Sequence, residues 1–133
     1  MRTQIHIRNS SSLEDRARVE QILVFAARKF GFADTSVTSR VPDTIRCYSE
    51  RVGFGCAIGA RVVGELVIVD FYDGKEPSPN FPAVEKHITD ELHRNFGHRI
   101  YIPKVSEYIP TQHSLTESEA AREFNRRHFR QEG

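Results

Sequence analysis

Residues 54–72 read FGCAIGARVVGELVIVDFY. In the first half Phe54, Cys56, Ile58, Ala60 and Val62 alternate with small residues, the period of two that places one set of side chains on the buried side of a strand. In the second half Leu66 to Tyr72 is almost continuously apolar, as in a strand covered on both faces and central in its sheet. Val63, Gly64 and Glu65 leave room only for a tight connection, so the two strands are expected to pair as a hairpin.

Upstream, Thr44 to Glu50 alternates Ile45, Cys47 and Ser49 against Arg46, Tyr48 and Glu50, which predicts another strand. The run TSVTSRV at 35–41 is rich in β-branched residues and predicts a weaker one, broken by Pro42 and Asp43. Near the start, Ile5 and Ile7 share one face of a short strand. A polar stretch follows in which Ser11 and Glu14 stand at capping-box spacing. Val19, Ile22, Leu23, Ala26, Ala27 and Phe30 then recur at intervals of three and four, predicting a helix over 13–30 that Gly31 stops.

Downstream, residues 73–82 hold three prolines and predict a loop. Val84, Ile88, Leu92 and Phe96 are spaced by four and predict a second amphipathic helix over 83–96, ended at Gly97. Ile100 to Ile102 reads as a short edge strand stopped by Pro103, with extended chain as far as Thr111. Thr116 and Glu119 form a capping box that opens a helix through Ala120, Ala121, Phe124 and Phe129. A helix of ~15 residues is only marginally stable alone in water, so this one needs a docking site. The order is β-α-β-β-β-β-α-β-α. It predicts one α+β domain over 1–133, a mainly antiparallel sheet of four to six strands with two amphipathic helices on one face. Residues 112–133 are expected to form an Arg-rich C-terminal helix that serves as a docking or swapped arm.

The chain has 133 residues, 38% hydrophobic and 28% charged, which suits one folded domain and excludes a wholly disordered regulator. No apolar run approaches the ~20 residues of a bilayer span, and MRTQIHIRNSSS lacks a hydrophobic signal core, so a cytoplasmic protein without membrane contact is expected. Nineteen Lys and Arg against eighteen Asp and Glu leave +1, too little for a global field toward nucleic acid. Cys47 and Cys56 are too few and too far apart for a disulfide scaffold or a CxxC site, and both read as buried thiols.

No enzyme or metal motif stands out. Gly53, Gly55 and Gly59 resemble a phosphate loop only in spacing, because a strand pattern runs through them. The better reading is a strand with one bare face, Gly55, Ala57 and Gly59, against which a helix of the same chain packs. His87 and Glu91, four apart with Asp90 alongside, lack a third ligand, and Lys86 to Asp90 and Asp90 to Arg94 ion pairs account for the same face. Asp70 is the one acid inside an apolar strand and is read as the partner of an arginine, with a functional carboxylate as the alternative. Arg122, Arg126, Arg127 and Arg130 crowd the last turns of the C-terminal helix, more than matching the helix dipole requires, and are the candidate binding residues.

The stretch from Asn95 through Gly97, Tyr101, Ile102 and Pro103 to Lys104, followed by Arg122-Glu123-Phe124-Asn125-Arg126-Arg127-His128, resembles the C-terminal half of the Mor-type phage transcription activators over about residues 84–129. In that family the first stretch belongs to the dimerisation region and the second opens a helix-turn-helix. Arg126 stands where the family usually has Gly, residues 44–72 have no counterpart there, and no recognition helix follows. The resemblance implies a dimer without the usual major-groove reader.

Three functions are therefore expected, in this order. The first is a small non-catalytic regulatory or inhibitory protein that binds another protein, with no cofactor or metal and a possible homodimer through Ile100, Tyr101, Ile102 and the C-terminal helix. The second is a nucleic-acid-associated regulator using the basic helix. The third is an enzyme for a small molecule with a cleft near Asp70 and Tyr72.

Overall fold

The computed structural model describes residues 2–50, 55–74 and 78–110. Among the described residues two helices and six strands make up one α+β unit: β1 (Arg2–Ile7), α1 (Leu13–Phe30), β2 (Phe32–Asp34), β3 (Thr44–Glu50), β4 (Ala57–Val63), β5 (Leu66–Tyr72), α2 (Phe81–Phe96) and β6 (Ile100–Tyr101). The strands form a single antiparallel sheet in the order β2-β3-β4-β5-β1-β6. The expected hairpin is present, with Val63 opposite Leu66 and Gly64 at φ +59°, and β5 lies in the interior of the sheet.

Both helices cover the same face. Val19, Leu23, Ala26 and Ala27 of α1 join Phe81, Val84, Ile88, Leu92 and Phe96 of α2 over Ile5, Ile7, Tyr48, Ile58, Ala60, Val67, Val69 and Phe71 of the strands. Each large side chain so buried stabilises the fold by about 1.5–3 kcal/mol. Ala26 and Ala27 bring α1 close to the sheet because they interpose only a methyl group.

Local chemistry sets the element ends. The cap of α1 is Ser12, whose hydroxyl accepts from the Asp15 amide, and not Ser11 as the capping-box spacing predicts. Gly31 ends the helix at φ +77°, the left-handed region open to glycine. Ser10 is fully buried: its hydroxyl donates to the Ile7 carbonyl and accepts from the Val67 amide, tying the chain before α1 to β5. Arg99 donates to both Asp15 carboxylate oxygens and to the Asn9 carbonyl, fastening the end of α2 to the start of α1. These bonds hold the Asp15 carboxyl below its ordinary range.

Four further expectations change. The strand predicted over 35–41 lies earlier, at Phe32–Asp34, and Ser36–Thr38 is a 3-10 turn, because the Asp34 carboxylate accepts from the Ser36 amide and pulls the chain out of line. Helix α2 begins at Phe81 instead of 83, with Pro82 in its first turn, where a missing amide hydrogen costs nothing. Beyond Pro103 the chain is not all extended, since Val105–Glu107 is a 3-10 turn closed by the Glu107 carboxylate on the Lys104 amide. A bulge between Thr44 and Arg46 breaks the alternation of β3: Ile45 stays against the core, whereas Tyr48 takes the buried face and Cys47 the opposite one.

Candidate functional site

The face of the sheet away from the helices carries a groove over β3, β4 and β5. Its volume is about 310 Å³. Alternation along β4 turns Ile58 and Ala60 to the core and leaves Ala57, Gly59 and Arg61 on the groove side. Gly59 faces Cys47 across the ladder, and a Cβ there would stand 3.3 Å from the Cys47 Cβ, so glycine keeps the floor of the groove low.

One wall is the connection from Thr35 to Thr44, made firm by its hydroxyls. Thr35 and Ser36 hydroxyls donate to the Cys47 carbonyl at 3.2 and 3.3 Å, and the Cys47 amide donates back to the Ser36 hydroxyl at 3.0 Å. Further along, the Ser39 and Thr44 hydroxyls are 2.9 Å apart and Thr44 donates to the Val41 carbonyl at 2.7 Å. Behind β3, Arg46 bonds both Glu20 of α1 and Asp34, at 3.0 and 2.8 Å, which fixes the strand to the helix layer.

On the other side the groove is bordered by Arg61 and Asp70, which a polar network holds from behind. Arg61 Nε donates to Asp70 at 3.1 Å, and its Nη2 donates to the Ile109 carbonyl at 2.6 Å. Gln4 Nε2 donates to Asp70 and to the same carbonyl, both at 2.8 Å, while its oxygen accepts from the Ile109 amide at 3.0 Å. His6 Nε2 stands 2.9 Å from that oxygen. Gln4, His6 and Arg61 are all buried, so these bonds replace the water the groups lose. Burial holds the His6 imidazole below its ordinary pKa, against the attraction of Asp70.

The network also anchors residues 102–110 across this face. Tyr101 donates to Glu107, Arg8 lies 4.8 Å over the Tyr101 ring, and Ile109 is clasped between Gln4 and Arg61. The main chain therefore reaches Pro110 at the Arg61 end of the groove.

Several predicted site residues meet here and others do not. Asp70 is paired with Arg61, as expected, and with Tyr72 borders the groove. Cys56 is buried, its thiol donating to the Asp73 carbonyl at 3.0 Å and pushed up to about 11 by that burial. Cys47 is not a core thiol: it is half-buried and lines the groove. Neither described helix packs on Ala57 and Gly59, because both lie on the other face. On α2, Lys86 pairs with Asp90 as expected, but Arg94 pairs with Glu91 instead of Asp90, and the His87 ring meets Phe30 edge-on. Among the described residues no group of three or more His, Cys, Asp or Glu is placed to hold a metal. Ile100 and Tyr101 form β6 at the sheet edge, with Ile102 exposed. Arg122, Arg126, Arg127 and Arg130, with the helix predicted over 112–133, lie outside the described residues.

Gln4, His6 and Arg61 escaped the sequence reading. Arg61 was within reach: a hairpin turning at Gly64 and Glu65 sets Gly59 opposite Asp70 and puts Arg61 diagonally across from it on the same face. Gln4 gave no such sign, because β1 joins β5 from 66 residues away. No described helix is long and apolar enough to cross a membrane. Comparisons with protein-family models and with curated proteins find no match to the chain.

Proposed function

We propose that this chain is a small regulatory or inhibitory interaction protein that receives a segment of a partner protein in the groove over β3, β4 and β5. The observation that carries this reading is that the groove's polar groups are already paired: Arg61 with Asp70, Asp70 in turn with Gln4 behind it, and the wall hydroxyls with the backbone of β3 and its approach. Groups so engaged offer shape and a few fixed donors and acceptors, which suits recognition. A nucleophile and base in mutual reach, the requirement of acyl transfer, is not their pattern. A volume of about 310 Å³ accommodates one or two large side chains, the size of an interface anchor.

The test is to pan a random-peptide library against the immobilised chain and rebind the selected peptides to a variant of Ser49, which lines the groove from β3: in Ser49→Trp an indole fills the space. Selected peptides are expected to share an apolar or aromatic anchor and to lose at least tenfold in affinity for the variant. Equal binding to both proteins overturns the reading.

A second reading is favoured by the same volume, which falls at the lower end of the ~300–1,000 Å³ of small-molecule sites. A small ligand bordered by Asp70 and Tyr72 would raise the melting temperature of the wild-type chain and leave Ser49→Trp unmoved.

A further inference from the structure

Residues 104–110 are held to the helix-free face by polar bonds more than by packing. Val105 is 78% exposed and Pro110 is exposed too, Tyr108 and Ile109 are half-buried, and Pro103 just before them is buried. Gln4 takes both backbone groups of Ile109, Arg61 shares its carbonyl, and Tyr101 donates to Glu107. A segment with so little buried apolar surface opens locally at a fraction of the cost of unfolding the molecule.

His6 lies at the root of these bonds. Alternation along β1 turns Ile5 and Ile7 to the core and sends Gln4 and His6 to the opposite side. Ile109 fixes the sense of the Gln4 amide, because an N–H must meet its oxygen and a carbonyl its NH2 group. The His6 Nε2, 2.9 Å from that same oxygen, therefore carries the hydrogen, and a second proton goes to Nδ1. Among the described residues Nδ1 has no hydrogen-bond partner. The charged groups around the ring are Asp70 of β5, Arg61 of β4, Glu107 of the segment itself and, across the Tyr101 ring that meets it edge-on, Arg8 of its own strand. Asp70 is already matched by Arg61, and the Glu107 carboxylate is engaged by Tyr101 and the Lys104 amide. A His6 cation under the segment would thus be 5% exposed with a new donor unmet, a state that burial penalises.

We propose that residues 104–110 form a strap, hinged at Pro103 and latched through Ile109, which protonation of His6 releases because the charged ring gains water when the strap lifts. Burial keeps the latched imidazole below its ordinary pKa, against the attraction of Asp70 and Glu107, whereas the lifted form takes up a proton near 6.5. Opening is therefore favoured as pH falls below 6.5, and the gain levels off below the lower, latched value. Lifting also frees the Gln4 amide and Arg61 Nη2 at the Arg61 end of the groove, two donors suited to the backbone of an incoming segment. That last consequence rests on the reading of the groove as the partner site; the latch does not.

The test follows hydrogen exchange of the Ile109 amide in the full chain by NMR, each rate being divided by its intrinsic rate at the same pH. Val69, fully buried in β5, serves as the reference for global unfolding. Ile109 is expected to be protected at least tenfold less than Val69 at both pH 7 and pH 5, and to lose about tenfold in protection between the two. In His6→Gln the loss is expected to vanish. Protection equal to that of Val69, no loss with pH, or the same loss in His6→Gln overturns the proposal. A second measurement needs only the wild-type chain: the His6 imidazole and the Ile109 amide resonances are expected to titrate with one midpoint below 6.5. Separate midpoints, or a His6 midpoint at or above 6.5, overturn the latch.

Peptides selected on the groove are expected to bind wild type about tenfold tighter at pH 5 than at pH 7 and His6→Gln equally at both; equal affinities for wild type overturn that consequence. The strap and the partner site fail separately. A pH-dependent Ile109 amide with no peptide selected removes the site and keeps the strap, and selected peptides with an Ile109 amide indifferent to pH remove the strap and keep the site.

Discussion

Arg61 is the residue on which the polar network depends. Its side chain is 7% exposed and serves Asp70 and the Ile109 carbonyl together. Arg61→Met takes away both donors and is expected to cost about 3 kcal/mol or more, since removing one partner leaves a charge in a poorly solvated place. Arg61→Met with Asp70→Leu should recover part of the loss, with a coupling of roughly 1–3 kcal/mol by denaturant unfolding; strict additivity would show that the pair does not couple. His6 provides a pH signature. Burial lowers its folded pKa below the 6.5 of the unfolded chain, so the unfolded chain takes up a proton first. The stability due to neutral His6 is complete above pH 6.5 and is lost as pH falls through that value toward the lower folded one. The melting temperature of wild type is therefore expected to fall more between pH 7 and pH 5 than that of His6→Gln, and parallel curves would refute the assignment. The two thiols should also separate: with iodoacetamide at pH 7.5, Cys47 labels ahead of Cys56, which is buried, hydrogen-bonded and pushed up to about 11.

At the scale of elements, α1 owes its ends to single residues. Ser12→Ala removes the acceptor of the Asp15 amide and is expected to cost about 1 kcal/mol. Gly31→Ala should cost a similar ~1 kcal/mol through backbone strain alone, because nothing lies within 4 Å of the added methyl. Deleting the core side of α2 is more damaging: Leu92→Ala opens a cavity in a fully buried position and should cost about 2–5 kcal/mol. Chemical denaturation checks all three. The same elements show what was legible. The stripe from Val19 to Phe30 predicted α1 at its observed bounds, and the alternation of 54–62 followed by a continuous apolar run predicted the hairpin of β4 and β5. The run at 35–41 misled, because Asp34, Thr35 and Ser36 satisfy backbone groups with their own side chains, a competition that β-propensity does not register.

For the whole molecule, the sheet has two faces with different fates. One is sealed by α1 and α2 into the core; the other is clasped at one end by residues 102–110 and grooved at the other. The near-zero charge argues that the binding proposed for the groove is governed by shape more than by a field. Fluorescence anisotropy with mixed duplex and single-stranded DNA is accordingly expected to show no binding at 50 or 200 mM salt. Tight binding at low salt that weakens by orders of magnitude would transfer the function to Arg122, Arg126, Arg127 and Arg130.

By itself the sequence determined the α+β class, the two amphipathic helices and the central hairpin, because each is written in a period of two or of 3.6 and in caps that act within a few residues. It also marked Ala57 and Gly59 as a bare strand face and Asp70 as an acid in need of an arginine. Only the tertiary structure decided which arginine that is, that a bulge at Thr44 and Arg46 turns Cys47 out of the core, and that Gln4 holds Ile109 across 105 residues of chain. Those outcomes depend on register and on contacts between distant segments, and the local pattern of side chains carries no record of either.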